Sequence, residues 1–306
     1  MKAIRIHEPT GISGLALEEV PDARPGLGDV LVQVVACGIT HDELDWPLWT
    51  CRAGHRRTSI IPGHEVSGVV TALGYGTAGV AVGDEVYGLT DQFRDGAAAE
   101  YVAVEARNVA PKPRTVDHVH AAAVPRAGLT AWQALFDHGK LTQGQTVVIH
   151  GAGGAVGSTA VQLARWAGAR VIGTGRGHSR QLATELGADR FIALDADRLE
   201  DAAGAADLVV DTIGGEVLAR SPALLRPGGR LVTIKAAAEL PPGREDIRSV
   251  VFVQEAIRTQ LTELARLVDD GHLRPQVGAV YPLAQAVEAY SAKAAGGIPG
   301  RVILQP

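Results

Sequence analysis

The chain has 306 residues, 46% of them hydrophobic, a formal net charge of −5 and only two cysteines. That length suggests about two domains, and the composition supplies packed cores and excludes a disordered chain. The charge gives no electrostatic reason to expect nucleic acid or an anionic membrane as partner, and two cysteines cannot build a disulfide framework.

Taken from its start, "MKAIRIHEPTG" has no apolar h-region, so no signal peptide is expected. No apolar stretch reaches the roughly 18 residues of a membrane helix, and a soluble cytoplasmic protein is the expectation. The first third reads as β-rich. "DVLVQVVACGI" alternates, with Val30, Val32, Val34 and Ala36 on one face of a half-buried strand. "VSGVVTALG", "GDEVYGLT" and "AAAEYVAVE" are further short strands with turn signals between them. Beyond Lys112 the texture changes. "VDHVHAAAVP" and "AGLTAWQALFDHG" carry helical spacing, and "TVVIHGAGGAVGSTAVQLARWAGARVIGTG" is strand, glycine turn, helix, strand. "ADLVVDTIGG", "GGRLVTI" and "SVVFVQ" continue the series, which implies a doubly wound parallel sheet of about six strands. After the helix in "EAIRTQLTELARLVDDG", short elements return, and this tail is expected to rejoin the β-rich part. The division that follows is a first domain of residues 1–117 completed by 270–306, with 118–269 as the second.

The glycine turn sits between a strand and a helix, the context that a dinucleotide fingerprint requires. Small residues at Gly153, Gly154, Ala155 and Val156 let the backbone approach a pyrophosphate at the helix N-terminus. The second strand ends at Thr174, where an NAD site carries an acid about 20 residues on; none lies between Val171 and Gln181. Arg176, His178 and Arg180 cluster there instead, which suits the 2′-phosphate of NADPH. Ligands bind outside the carboxyl ends of parallel strands, so Thr212, Ile213 and Lys235 are expected beside the cofactor.

Over essentially its whole length the chain resembles the medium-chain dehydrogenase/reductase superfamily, most of all its zinc-independent quinone oxidoreductase branch. The stretches that carry the likeness are "PGHEVSGVV", "GVAVGDEVYGL", "RDGAAAEYVAV", "AGLTAWQAL" and "IHGAGGAVGSTAVQLA". The resemblance implies a GroES-like β-barrel catalytic domain, a Rossmann domain and an active-site cleft between them. It also implies hydride transfer from a nicotinamide to a quinone or an α,β-unsaturated carbonyl. Thr130, Phe252 and Val253 match family positions near the nicotinamide.

Zinc members of the superfamily carry three ligands at positions that here hold Thr40, His64 and Arg126. One ligand of three remains, so no metal is expected. Thr40 and His41 could meet a carbonyl oxygen from the cleft loop, with a turn hydroxyl and a solvated loop residue as the plain alternatives. Trp46 and Trp49 are expected to wall the substrate pocket. Arg126 is expected to supply the positive charge that the metal once provided, pairing with Glu65 or facing the substrate oxygen. The apolar strand "SVVFVQ" at the edge of the second sheet invites pairing with its own copy, hence a homodimer. Two other functions stay open: a zinc-type alcohol dehydrogenase with a rebuilt site, and a non-catalytic NADPH-binding protein.

Overall fold

An antiparallel ribbon, β1 (Lys2–Arg5) against β2 (Ala16–Glu19), precedes an eleven-residue strand, β3 (Asp29–Ile39). The protein is seen here as a computed structural model describing residues 1–40, 42–46, 48–51, 53–202, 206–235 and 244–306. Alternation places Val30, Val32 and Val34 in the main core of the first unit, as the sequence predicts. Ala36 departs from that face. The register against the next strand shifts between Val34 and Ala36, and the extra residue of such a bulge reverses the phase. Cys37 and Ile39 therefore take the core side, while Ala36 packs with Ala122, Ala123 and Ile303.

β3 is flanked by β4 (Glu65–Leu73), which pairs with β5 (Glu85–Leu89). β6 (Tyr101–Glu105) also pairs with β3, and β7 (Val109–Pro111) with β5. A short helix, α1 (His118–Ala122), follows, its first turn capped by Asp117 accepting from the His120 amide at 2.8 Å. α2 (Pro125–Trp132) starts on a proline, which suits a first helical turn.

Six strands build the second unit: β8 (Thr146–His150), β9 (Arg170–Gly175), β10 (Arg190–Ala193), β11 (Ala206–Asp211), β12 (Leu225–Thr233) and β13 (Arg248–Val251). All pair in parallel in the order β10-β9-β8-β11-β12-β13. This is the doubly wound arrangement, reversing direction after its first strand, β8. Helices α3 (Ala155–Trp166), α4 (Arg180–Glu185) and α5 (Gly215–Arg220) follow β8, β9 and β11. Val148, Ile172, Ile192, Val209 and Leu231, one from each of β8 to β12, share a buried cluster.

The chain then forms α6 (Arg258–Asp269), β14 (Val277–Pro282), α7 (Ala286–Ala294) and β15 (Arg301–Gln305). β15 pairs antiparallel with β3 and parallel with β14, so these strands extend the first sheet. One compact unit is Met1–Arg126, Ala256–Asp269 and Pro275–Pro306, the other Ala127–Glu255 and Asp270–Arg274. The division differs from boundaries at 117 and 269. α1 packs on β3 and β4, and α6 packs on β7, where the Tyr87 hydroxyl donates to the Leu261 carbonyl.

A fully buried histidine, His150, ends β8. Its Nε2 lies 3.1 Å from Ser221 Oγ, whose own proton goes to the Val217 carbonyl, so Nε2 is the donor. Nδ1 then accepts from Thr174 Oγ1 at 2.8 Å. Burial pushes the imidazole pKa from the ordinary 6.5 down to about 4, against the opposing charge of Asp211. Because the folded value is the lower one, the contribution is complete above about pH 6.5 and lost as pH falls towards 4. The loss is on the order of 3 kcal/mol. Urea unfolding midpoints of the protein should fall across that window, and His150→Gln should flatten the fall. An unchanged pH profile in His150→Gln would assign the acid sensitivity elsewhere.

Candidate functional site

The Pro-Gly turn of "IIPGHEV" leads directly into β4 and buries two polar side chains, His64 and Glu65, both 1% exposed. Each finds partners from distant parts of the first unit. His64 Nδ1 lies 3.1 Å from Glu43 Oε2. The other Glu43 oxygen accepts from the Tyr290 hydroxyl at 2.6 Å and from the Thr40 amide at 3.1 Å. Glu65 Oε1 accepts from the backbone N–H of Arg126 at 3.0 Å, and Oε2 lies 2.9 Å from Arg301 Nη2. That second contact is an ion pair without hydrogen-bond alignment, since neither atom has an aligned partner. Arg301 Nη1 donates to Thr40 Oγ1 at 2.8 Å.

These contacts refine one expectation: Arg126 acts on Glu65 through its amide and its charge, while the ion pair of Glu65 is with another arginine. The cation closest to Glu65 is Arg301, from the first residue of β15, and Arg126 gives the carboxylate its amide. The Arg126 guanidinium stacks over the Trp46 ring, 4.3 Å from its centroid, and Trp46 in turn lies 5.8 Å from the His64 ring. The sequence held a signal for Arg301: an arginine opening the apolar run "RVILQ" needs a buried carboxylate partner.

Burial and charge set the electrostatics of the cluster. Burial raises the Glu65 carboxyl above its ordinary range, and the nearby Arg301 and Arg126 charges only partly oppose it. Burial also pushes Glu43 upward, but its bonds to His64, Tyr290 and Thr40 hold it below the ordinary value. Glu43 is therefore the firmly ionised carboxylate of the two. Desolvation lowers the Arg126 pKa, opposed first by the charge of Glu65. His64 Nε2 and Asp42 Oδ1 are buried with no hydrogen-bond partner among the described residues.

The second unit holds the glycine turn. A Cβ on Gly157 would lie 2.0 Å from the Gly151 carbonyl oxygen, so only glycine lets α3 approach β8 so closely. The helix N-cap, Gly154, makes no side-chain cap bond and is exposed. Gly153, Ala155 and Val156 are half-buried beside it. Thr212 Oγ1 donates to the His150 carbonyl at 2.8 Å and lies against Gly151, with Ile213 40% exposed beside it. Lys235 lays its stem over Gly214. These residues surround the turn from the carboxyl ends of β8, β11 and β12.

Other expected contacts are placed differently. Thr174 is fully buried and tied to His150, and its carbonyl accepts the Gly151 and Ala152 amides, so it shapes the turn from behind. Arg176 is exposed, but Arg180 is held by Asp197 at 2.9 Å and by the Phe191 carbonyl at 2.9 Å. Thr130 is buried, Phe252 stacks on His138 at 4.5 Å, and Val253 is 61% exposed. Trp46 and Trp49 both pack against the first unit's core. His41 lies outside the described residues.

Residues 26–114 match the alcohol dehydrogenase GroES-like domain, and residues 186–304 the zinc-binding dehydrogenase domain. The tomato (Solanum lycopersicum) 2-methylene-furan-3-one reductase is 30% identical over 100% of this chain and 79% of its own length. The solved quinone oxidoreductase of Coxiella burnetii superposes with a TM-score of 0.90 at 26% identity, covering 100% of this chain and 99% of that one. The chain belongs to the medium-chain dehydrogenase/reductase superfamily, in its quinone-oxidoreductase-like branch. It is an oxidoreductase of a family that uses a nicotinamide cofactor. A mycobacterial member solved in complex with NADPH superposes with a TM-score of 0.86 at 26% identity, each chain fully covered. No described helix is long and apolar enough to cross a membrane.

The donor set can be compared with the zinc members of the superfamily. By the resemblance, Thr40 and Arg126 stand at two of the three ligand positions; His64 alone keeps a ligand atom, its unpartnered Nε2, with Nδ1 held by Glu43. Among the described residues no three His, Cys, Asp or Glu side chains are grouped to hold a metal. A guanidinium cannot be a ligand, and a divalent cation beside Arg126 and Arg301 would meet like charge. With one ligand atom on His64 and two guanidinium groups nearby, the described residues do not fit a catalytic zinc.

The Glu65–Arg301 pair gives a direct energetic test. Arg301→Leu should cost about 3–5 kcal/mol by leaving a buried carboxylate unpaired. Adding Glu65→Gln should recover a substantial part of that loss. Denaturant unfolding of both single variants and the double variant measures the coupling, and purely additive losses would show the pair to be energetically independent.

Proposed function

We propose that the protein is an NADPH-dependent reductase of quinones or α,β-unsaturated carbonyls that works without catalytic zinc. The observation that carries this is the polar cluster in which Arg301 donates to Thr40 Oγ1. Because the hydroxyl oxygen accepts from a cation, its own proton remains available to donate, and the donor is polarised by the charge behind it. Thr40 is half-buried and suited to hold a carbonyl oxygen as negative charge grows on it, the task of an oxyanion donor. Arg126, fixed on Trp46, adds positive charge to the same neighbourhood without giving up a proton. His41 belongs to this loop in the sequence, and its proposed contact with substrate rests on that position alone.

When bound, a nicotinamide would supply the hydride for the β-carbon of an enone or for a quinone. The chain orients the acceptor and stabilises the enolate or quinol anion, and water supplies the proton. Gly153, Gly154, Ala155, Val156, Thr212, Ile213 and Lys235 would hold the pyrophosphate and the ribose next to it. Arg176 would take the 2′-phosphate. Thr130, Phe252 and Val253 would border the nicotinamide, and Trp46 and Trp49 would line the substrate pocket. The tomato relative and the NADPH-bound mycobacterial neighbour support the acceptor class and the cofactor. A cytoplasmic location accords with a small-molecule substrate.

Thr40→Val should lower kcat at least tenfold, while NADPH affinity stays within about twofold; Thr40→Ser should restore most of the turnover. Stopped assays against quinones and enones, with and without chelator, test this together with zinc independence. Activity lost to the chelator and restored by zinc would favour the rebuilt alcohol dehydrogenase, and no turnover of any acceptor the non-catalytic protein.

β13, half-buried along three of its four residues, is the edge of the parallel sheet. Pairing it with its copy across a two-fold axis would cover both edges. The same proposal therefore includes a homodimer, and light scattering at micromolar concentration should give twice the 31.9 kDa chain mass. A strictly monomeric mass would count against it.

A further inference from the structure

The turn after β9 combines two features that oppose each other. Its backbone runs Arg176–Ser179, closed by the Ser179 amide donating to the Arg176 carbonyl at 2.9 Å. It borders the glycine loop, since a Cβ on Gly153 would lie 2.4 Å from Ser179 Oγ. This is the carboxyl end of the strand where the ribose of the adenosine half is recognised in doubly wound folds. No acid belongs to the turn itself, yet one reaches it from the neighbouring strand. Asp195, just past β10, accepts the Gly177 amide with both oxygens, at 3.0 and 3.3 Å.

The charges around the turn divide unequally. Asp197 is neutralised by Arg180 and also accepts the Ala193 amide at 2.8 Å. Asp195 and Arg176 have no ion-pair partner among the described residues, and both are exposed. A phosphate seeks N–H donors and cations. Here one donor, the Gly177 amide, is already taken by a carboxylate whose negative charge would repel an added phosphate. A ribose hydroxyl meets no such penalty and can donate to a carboxylate.

We propose that Asp195 is a specificity-determining residue for the cofactor. Its carboxylate weakens binding of a 2′-phosphate while leaving a 2′-hydroxyl unopposed, so preference for NADPH is the balance of Arg176 against Asp195. The inference rests on the proposal that a nicotinamide dinucleotide binds at the glycine turn.

Binding, read from nicotinamide fluorescence on titration of the whole protein with NADPH and with NADH, tests it without any acceptor. Asp195→Asn keeps an oxygen for the Gly177 amide and removes only the charge. It should tighten NADPH about tenfold, the scale of one charge-assisted contact, with NADH within about twofold. Arg176→Gln should weaken NADPH by a similar factor, and the double variant should return near the wild-type ratio. The gain from Asp195→Asn should shrink in 0.5 M salt, on the order of the screening expected for exposed charges. If Asp195→Asn moves both cofactors equally, the carboxylate only holds the turn, and the inference fails while the cofactor assignment stands. An unchanged ratio overturns it in the same way. Wild-type protein that binds neither nucleotide would overturn the cofactor assignment and this inference together.

Discussion

A carboxylate buried at the first residue of β4 has to be compensated, and the first unit's polar centre is arranged around that need. Glu65 is 1% exposed, and its charge is met by Arg301 at the first residue of β15. Both strands flank β3, with Glu65 and Ile303 opposite Gly38 in the two registers. A side chain on Gly38 would intrude here, since its Cβ would lie 3.0 Å from Glu65 Oε2. The ion pair thus reaches past the one residue of β3 that leaves room for it. Removing either charge would strand the other away from water, a cost that exceeds what the pair contributes when intact.

From that pair the remaining contacts follow in sequence. Arg301 fixes the Thr40 hydroxyl, the Thr40 amide helps hold Glu43 ionised, and Glu43 sets the His64 ring through Nδ1. Tyr290, from α7, completes Glu43 with a 2.6 Å bond. Elements from both ends of the chain therefore converge on a few side chains, which keeps them in defined rotamers. Pre-organisation of this kind is what lets a donor stabilise growing charge without reorganising at the moment of reaction. The second unit handles its buried polar group in the opposite way. His150 is kept neutral by burial and satisfied by two hydroxyls, so the region behind the glycine turn carries no buried cation.

The zinc-binding name belongs to the domain that residues 186–304 match, and Thr40, His64 and Arg126 lie outside it. In the proposed reaction, Thr40 and Arg126 would supply hydrogen bonding and positive charge where a metal would supply a Lewis acid. The same fold can host either chemistry, because the site is a set of side chains on a common scaffold.

Much of the fold and part of the site were determined by the sequence itself. Period-two alternation gave β3, and the strand, glycine turn and helix around Gly153 are local chemistry: Gly151 takes a left-handed φ, Gly157 leaves no room for a Cβ, and a helix begins at once. The residues facing that turn from β11 and β12 were legible too, since ligands gather at the carboxyl ends of parallel strands. Only the tertiary structure decided which charges meet. Alternation could not reveal the bulge that moves Ala36 from the main core cluster to a smaller one, because a bulge is a relation between two strands. Arg126 was the nearer candidate for Glu65, yet Arg301 holds it, because β15 returns from the far end of the chain to pair with β3. The basic run after β9 looked unopposed, yet Asp197 takes Arg180 and Asp195 takes the Gly177 amide, because β10 lies beside β9 in parallel. Periodicity and turn chemistry act within a few residues and are written in order along the chain. The partner of a charge is set by strand pairing and register, which the order of residues does not state.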